Sequence, residues 1–265
     1  MGQSSSSAAP SQVVNLRKTD HGPTPIDVFC EQLEAGDVLF LSGRNPISAM
    51  ISTFSWCEWT HVALIDVCPA SGRRFVWESQ SQLDDCIDVL TRTSRKSGVR
   101  LVELRERLIL YARDCGRPFQ AAGDGYSLLD VAVKRLHCDS PERRSAFQKR
   151  LSEFESLESR KAYERSGWQM IRAQYSEILG PADEDTTTYF CSELVVMTYK
   201  FVGALPSGRD PATGAPLVNA SAETPSGLAR SSGRYRFEPG YTLGPELYEL
   251  TVLVPPLSHS VKKDL

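Results

Sequence analysis

This sequence predicts a mixed fold of strands and helices, in one large domain or two small ones. Three observations carry that reading. Residues 61–67 and 74–79 are strand-like runs separated by the turn sequence Pro69-Ala70-Ser71-Gly72, the pattern of a hairpin. Ser140-Pro141-Glu142 opens a stretch in which Phe147, Leu151, Phe154 and Leu157 recur at spacings of 4, 3 and 3, as on one face of a helix. Finally, the short aromatic run Tyr189-Phe190 passes into an apolar, helix-period segment that begins on a cysteine, Cys191.

The remaining elements follow in order. Residues 1–25 are rich in Ser, Ala, Pro and Gly, have no periodic apolar pattern and read as a disordered tail. Folding is expected to start near Ile26, with a short helix through Val28, Phe29, Cys30 and Leu33. The run Gly36-Asp37-Val38-Leu39-Phe40-Leu41 reads as a buried strand, and residues 46–55 as a short amphipathic helix opened by Pro46. Val99 to Leu104 is a further strand that passes into a helix ending near Tyr111. Residues 139–180 form one long or two medium amphipathic helices, packed most simply on the core. The loop from Gly180 to Thr188 leads to Cys191. Residues 205–234 read as a long Pro/Gly/Ser-rich loop, after which Tyr235, Phe237, Tyr241 and residues 250–253 return to the core. The domain is expected to span 26–257, with a helical insertion at 139–185 and a C-terminal tail at 258–265.

The 265 residues are enough for a substantial core. A net charge of −3 with dispersed basic residues, Arg92, Arg95 and Lys96 being a mere loop cluster, gives no electrostatic case for nucleic acid. The seven cysteines have no C-x-x-C spacing, and the four histidines do not flank them as zinc ligands would. No disulfide framework, metal or organic cofactor is expected. Cys57, Cys68 and Cys86 read as small core hydrophobes. No apolar run approaches the ~20 residues needed to span a bilayer and no signal-peptide core follows Met1. The expected location is the cytoplasm. Met1-Gly2-Gln3-Ser4-Ser5-Ser6 fits the signal for N-myristoylation of Gly2, which would hold the chain reversibly at a membrane, with Arg17 and Lys18 a thin second signal. The terminal Lys262-Lys263-Asp264-Leu265 resembles an endoplasmic-reticulum retrieval signal only loosely.

Chemistry is expected at Cys191. A thiol in the first turn of a helix meets partial positive charge and unpaired N–H groups, which favour the thiolate. His61 is the histidine inside a strand-like run and the expected base; His21 and His259 lie in the tails and His137 borders the helical region. Glu78, if the two strands pair, falls at the same open end and orients the imidazole. The backbone N–H of Cys191 would help stabilise an oxyanion. Each residue also has a plainer reading: a core thiol, a satisfied strand-end histidine, an exposed strand-end carboxylate.

The ordered segments Gly36-Asp37-Val38-Leu39-Phe40, Trp59-Thr60-His61-Val62-Ala63-Leu64-Ile65, Val76-Trp77-Glu78-Ser79, the eight residues 98–105 and Tyr189-Phe190-Cys191-Ser192-Glu193-Leu194-Val195 resemble the NlpC-type papain-like superfamily, in its circularly permuted YiiX/YaeF-type branch. That resemblance implies an α+β fold in which a small antiparallel sheet or barrel packs on the helix bearing the nucleophile. It also implies the roles Cys191 nucleophile, His61 base and Glu78 polar partner, with His61 preceding Cys191 as permutation requires. Relatives cleave amide bonds in peptides or, as the lecithin–retinol acyltransferase-like proteins do, handle lipid acyl groups. The implied partner is therefore an amide- or ester-containing substrate. The 139–185 insertion and the 205–234 loop depart from a minimal member. Two alternatives are a catalytically silent module that binds a protein or membrane through the amphipathic segment, and a redox-sensing thiol with Cys57 or Cys86 as resolving partner.

Overall fold

The run His61–Val67 forms an interior strand of the sheet because β-branched and other apolar side chains can be buried on both of its faces. The computed structural model describes residues 22–43, 58–81, 83–94, 96–163, 188–214, 216–230 and 235–256. The readings for Gly2, the 46–55 helix, Cys57, residues 164–187 and the C-terminal tail lie outside them. Twelve strands are described: β1 (Thr24–Pro25), β2 (Val38–Leu41), β3 (His61–Val67), β4 (Arg74–Gln80), β5 (Gly98–Glu103), β6 (Arg117–Pro118), β7 (Ser127–Lys134), β8 (Leu136–Cys138), β9 (Ala162–Tyr163), β10 (Thr188–Tyr189), β11 (Tyr241–Leu243) and β12 (Tyr248–Val254). The helices are α1 (Ile26–Glu31), α2 (Leu104–Cys115), α3 (Pro141–Glu158), α4 (Cys191–Val202) and α5 (Pro225–Arg230).

The architecture is α+β. Eight strands form one sheet in the order β1-β12-β7-β2-β3-β4-β5, with β6 beside β7. Its pairs are antiparallel except β1 with β12. This sheet is larger than the small one expected. The sequence reading assigns nothing to 117–138, and β7 joins β2 to β12. The paired structure also starts two residues before Ile26, at Thr24. The 205–234 region is more structured than a loop, carrying α5 and the buried Val218, Ala220 and Leu228.

The sheet is covered on both faces. One face takes Val62, Leu64 and Trp77 against α3 and α4; the other takes Ala63, Ile65 and Val76 against α1 and α2. Local chemistry fixes the helix ends. Ser140 Oγ accepts from Arg143 N at 3.2 Å ahead of Pro141, and Gly203 ends α4 in the left-handed region that glycine adopts freely. Gly36 is also required, because a Cβ there would lie 2.5 Å from Leu136 Cδ2.

Helix α3 lies in the core, as its period predicts. Phe147, Leu151 and Phe154 are buried, and Phe154 meets Trp77 edge-on at 6.4 Å. Leu157 departs from the expected stripe and is 65% exposed. At 100° per residue it falls to one side of the line set by 147, 151 and 154, whereas Glu155 falls within the buried arc. Glu155 is 3% exposed, and its Oε1 has no hydrogen-bond partner. Burial, and then the charge of Asp66, push its carboxyl well above the usual range. A raised folded-state pKa means that stability is fullest below the unfolded value and falls as pH rises past it. Replacing Glu155 with Gln should therefore raise the melting temperature by about 2–4 °C at pH 8 and by less at pH 4. Equal gains at both pH values in thermal melts would contradict this assignment.

Candidate active site

Strand register brings the first two site residues together. Leu64 pairs with Trp77 and Ile65 with Val76, so Glu78 stands across from Ala63 and diagonal to His61 on the same face. His61 Nε2 and Glu78 Oε2 are 2.7 Å apart, and the carboxylate is fully buried. Ser79, pointing the other way, donates its hydroxyl to Tyr189 O at 2.8 Å. That bond ties β4 to the segment leading into Cys191.

Cys191 opens α4 and is 4% exposed. Its helix start is held from two sides. From the 139–163 region, β9 pairs with β10 and Tyr189 Oη donates to Glu158 Oε2 at 2.8 Å. From the 205–230 region, Ser192 Oγ donates to Glu223 O at 2.8 Å and Ser221 Oγ donates to Glu193 Oε1. Within the first turn, Phe190 N donates to Glu193 Oε2 at 3.3 Å. The first N–H groups of any helix lack an intrahelical acceptor, and here one of them belongs to the thiol-bearing residue itself.

His61 bridges the two halves of the site. Burial disfavours its charged form, but the neighbouring Cys191 and the hydrogen-bonded carboxylate of Glu78 raise the imidazole from 6.5 to about 9. With Nε2 on Glu78, Nδ1 is the nitrogen left for the thiol. Of the three residues named from the sequence, His61 is hydrogen-bonded to Glu78, and Cys191 is among the groups that act on the imidazole. His137 lies on β8, exposed.

Sequence reasoning missed what holds Glu78. Arg100 reaches its Oε1 through Nε at 2.9 Å and Nη2 at 2.6 Å, and Arg107 Nε reaches the same oxygen at 2.8 Å. Asp84 takes the other side of Arg100 with two 2.7 Å bonds. Burial opposes the charge on Glu78, yet Arg107 and Arg100 hold its carboxyl well below the usual range. A signal for these residues existed. Arg107 occupies an apolar-face position of α2 with Leu104, Leu108 and Tyr111, and Arg100 interrupts the apolar run of β5. A buried arginine needs an acid.

Cys86 is buried, and burial pushes its thiol up. Cys30, Cys68, Cys115 and Cys138 are also free thiols. No helix among the described residues is long and apolar enough to cross a membrane.

No family model and no curated protein matches the chain. Among solved structures it is similar to the crystal structure of the metalloprotein yiiX from Escherichia coli O157:H7, DUF1105, with a TM-score of 0.41 and 13% identity over 80% of this chain and 97% of that one. Among the described residues here, no group of three or more His, Cys, Asp and Glu side chains is placed to hold a metal ion. Both oxygens of Glu78 are already committed, one to arginine and one to His61.

Replacing Glu78 with Gln removes the carboxylate that favours imidazolium. His61 should then titrate at least about one pH unit lower, and stability should fall by about 3–5 kcal/mol because the buried Arg100 and Arg107 lose the negative charge they share. NMR titration of the imidazole checks the first expectation and denaturant melts the second. An unmoved His61 midpoint would remove Glu78 as its partner.

Proposed function

We propose that the protein is a thiol hydrolase that cleaves an amide bond through a covalent acyl-Cys191 intermediate, on a permuted papain-like scaffold. The observation that carries this reading is a single buried imidazole hydrogen-bonded to a fully buried, ionised carboxylate and close enough to a helix-start thiol for the two to interact. A structural histidine needs neither neighbour in particular; a general base for a thiol needs both.

In the proposed reaction the Cys191 sulfur, its proton held by His61, attacks the carbonyl carbon. A C–S bond forms and the carbonyl π pair moves to oxygen, facing the Cys191 backbone N–H at the positive end of α4. His61 then passes the proton to the leaving nitrogen as the C–N bond breaks. In the second half, His61 takes a proton from water, the hydroxyl oxygen attacks the thioester, and the C–S bond breaks to restore the thiol–imidazole pair. Glu78 supports the imidazolium and fixes the ring. The same acyl-enzyme would serve a lipid acyl hydrolase or an acyltransferase, with an alcohol or amine replacing water.

The silent-module alternative draws on the amphipathic insertion. In α3, however, Phe147, Leu151 and Phe154 are buried in the core. Acylation of Gly2 and reversible membrane attachment remain part of the proposal as a means of bringing the enzyme to its substrate.

Cys191→Ala should abolish labelling by thiol-directed acyl probes, and His61→Ala should reduce its rate by about 10²–10⁴-fold, both with unchanged circular dichroism. Labelling of Cys191→Ala equal to wild type would overturn the proposal. Since His61 must carry a proton to the leaving group, acylation should fall as pH rises through about 9. A pH–rate profile with amide probes tests this.

A further inference from the structure

The cluster behind Glu78 is larger than neutralising one carboxylate requires. Three N–H groups from two guanidiniums converge on Oε1, leaving Oε2 to His61. Arg107 is 2% exposed and its Nη2 has no hydrogen-bond partner; its Nη1 lies 3.5 Å from Asp84. Its one short bond is the one to Glu78. The guanidinium otherwise lies over the Tyr111 ring at 4.9 Å.

Stability alone does not account for such a cluster. Desolvating four charges is costly, and apolar replacements of similar volume are often neutral or stabilising. The charges are instead distributed so that they act on the imidazole. Glu78 and Asp84 offset Arg100 and Arg107, so the cluster sums to zero behind a histidine that itself faces a thiol.

We propose that Arg107 and Arg100 are positioning residues. By occupying one oxygen of Glu78 they aim the other at His61, and with Asp84 they set the pH range over which the imidazole remains protonated beside Cys191. This inference rests on the reading of Cys191 and His61 as a thiol–base pair. The titratable groups that face the imidazole are Glu78 from β4 and Cys191 from α4; behind Glu78 lie Arg100 from β5, Arg107 and Tyr111 from α2, and Asp84 and Cys86 from the segment after β4. Asp84 and Arg107 carry opposite charges behind Glu78 and do not touch His61. Removing the cation leaves more negative charge beside the ring, so His61 should hold its proton to higher pH. Removing the Asp84 anion should do the reverse.

The decisive experiment is the NMR titration of the His61 imidazole in the full chain, run on wild type, Arg107→Gln, Arg107→Lys and Asp84→Asn. Arg107→Gln leaves the two Arg100 bonds to hold the aim of Glu78, so the loss of charge should move the midpoint up, and Asp84→Asn should move it down, each by about one pH unit, a tenfold change in proton affinity. Arg107→Lys, which keeps the charge, should return close to wild type. A purely structural role would leave the midpoint in place or shift both variants in the same direction, and either result overturns the inference. If Arg107→Gln does not fold, the downward shift in Asp84→Asn supports the inference and its absence overturns it. Alkylation of Cys191 by iodoacetamide, in wild type and His61→Ala, separates the two levels. Equal alkylation in both removes the thiol–base pair itself. A His61-dependent thiol with unmoved midpoints in the arginine and aspartate variants removes only the positioning role.

Discussion

The register of β3 against β4 is the constraint on which the site depends. Side chains alternate across a strand, so a slip of one residue would send Glu78 to the face of α3 and α4 and put Ser79 where the carboxylate now lies. His61 would lose its partner, Arg100 and Arg107 would lose the carboxylate they share, and the Ser79 anchor on the Tyr189 carbonyl would break. One pairing thus fixes the imidazole, the charge cluster and the approach of Cys191. The apolar pairs Leu64 with Trp77 and Ile65 with Val76 hold that register at no cost to the polar end.

The second support is the clamp on the start of α4. Insertions close to a nucleophile would normally loosen it, since longer connections add conformational freedom. Here the added chain is tied back. Tyr189 bonds to Glu158 at the end of α3, while Ser192 and Glu193 bond to the 221–223 segment. Both segments therefore brace the helix that carries the thiol. Helix α3 is itself locked by Gln148 Nε2 on Val67 O at 3.0 Å and by the Phe154–Trp77 contact. The same sheet that holds His61 consequently fixes the position of the insertion.

Much of this was legible in the sequence, for identifiable reasons. Residues 61–67 and 74–80 are apolar runs flanking a turn, and such runs have few competing structures. Cys191 stands at the boundary between an aromatic run and a helical period, and boundaries of that kind are where helices start. Strand β7 was not legible because it reads Ser-Leu-Leu-Asp-Val-Ala-Val-Lys, with a carboxylate and an ammonium inside a central strand; it is a strand because β2 and β12 pair with it from both sides. Leu157 misled because spacings of three accumulate an angular lag along a helix. The arginines escaped because sequence reasoning looked for groups that react and not for groups that hold them.

That last omission bears on the redox alternative. A resolving thiol must itself form a thiolate. Cys86 shares the neighbourhood of Arg100 and Arg107, yet burial outweighs them and pushes its thiol up. The arginines already spend their charge on Glu78 and Asp84, and little is left to ionise a sulfur held in apolar surroundings. In the proposed reading the cluster reaches Cys191 through Glu78 and His61, while burial keeps Cys86 a protonated member of the core. The polar relay runs to one thiol, and acyl transfer at Cys191 fits that relay better than disulfide exchange does.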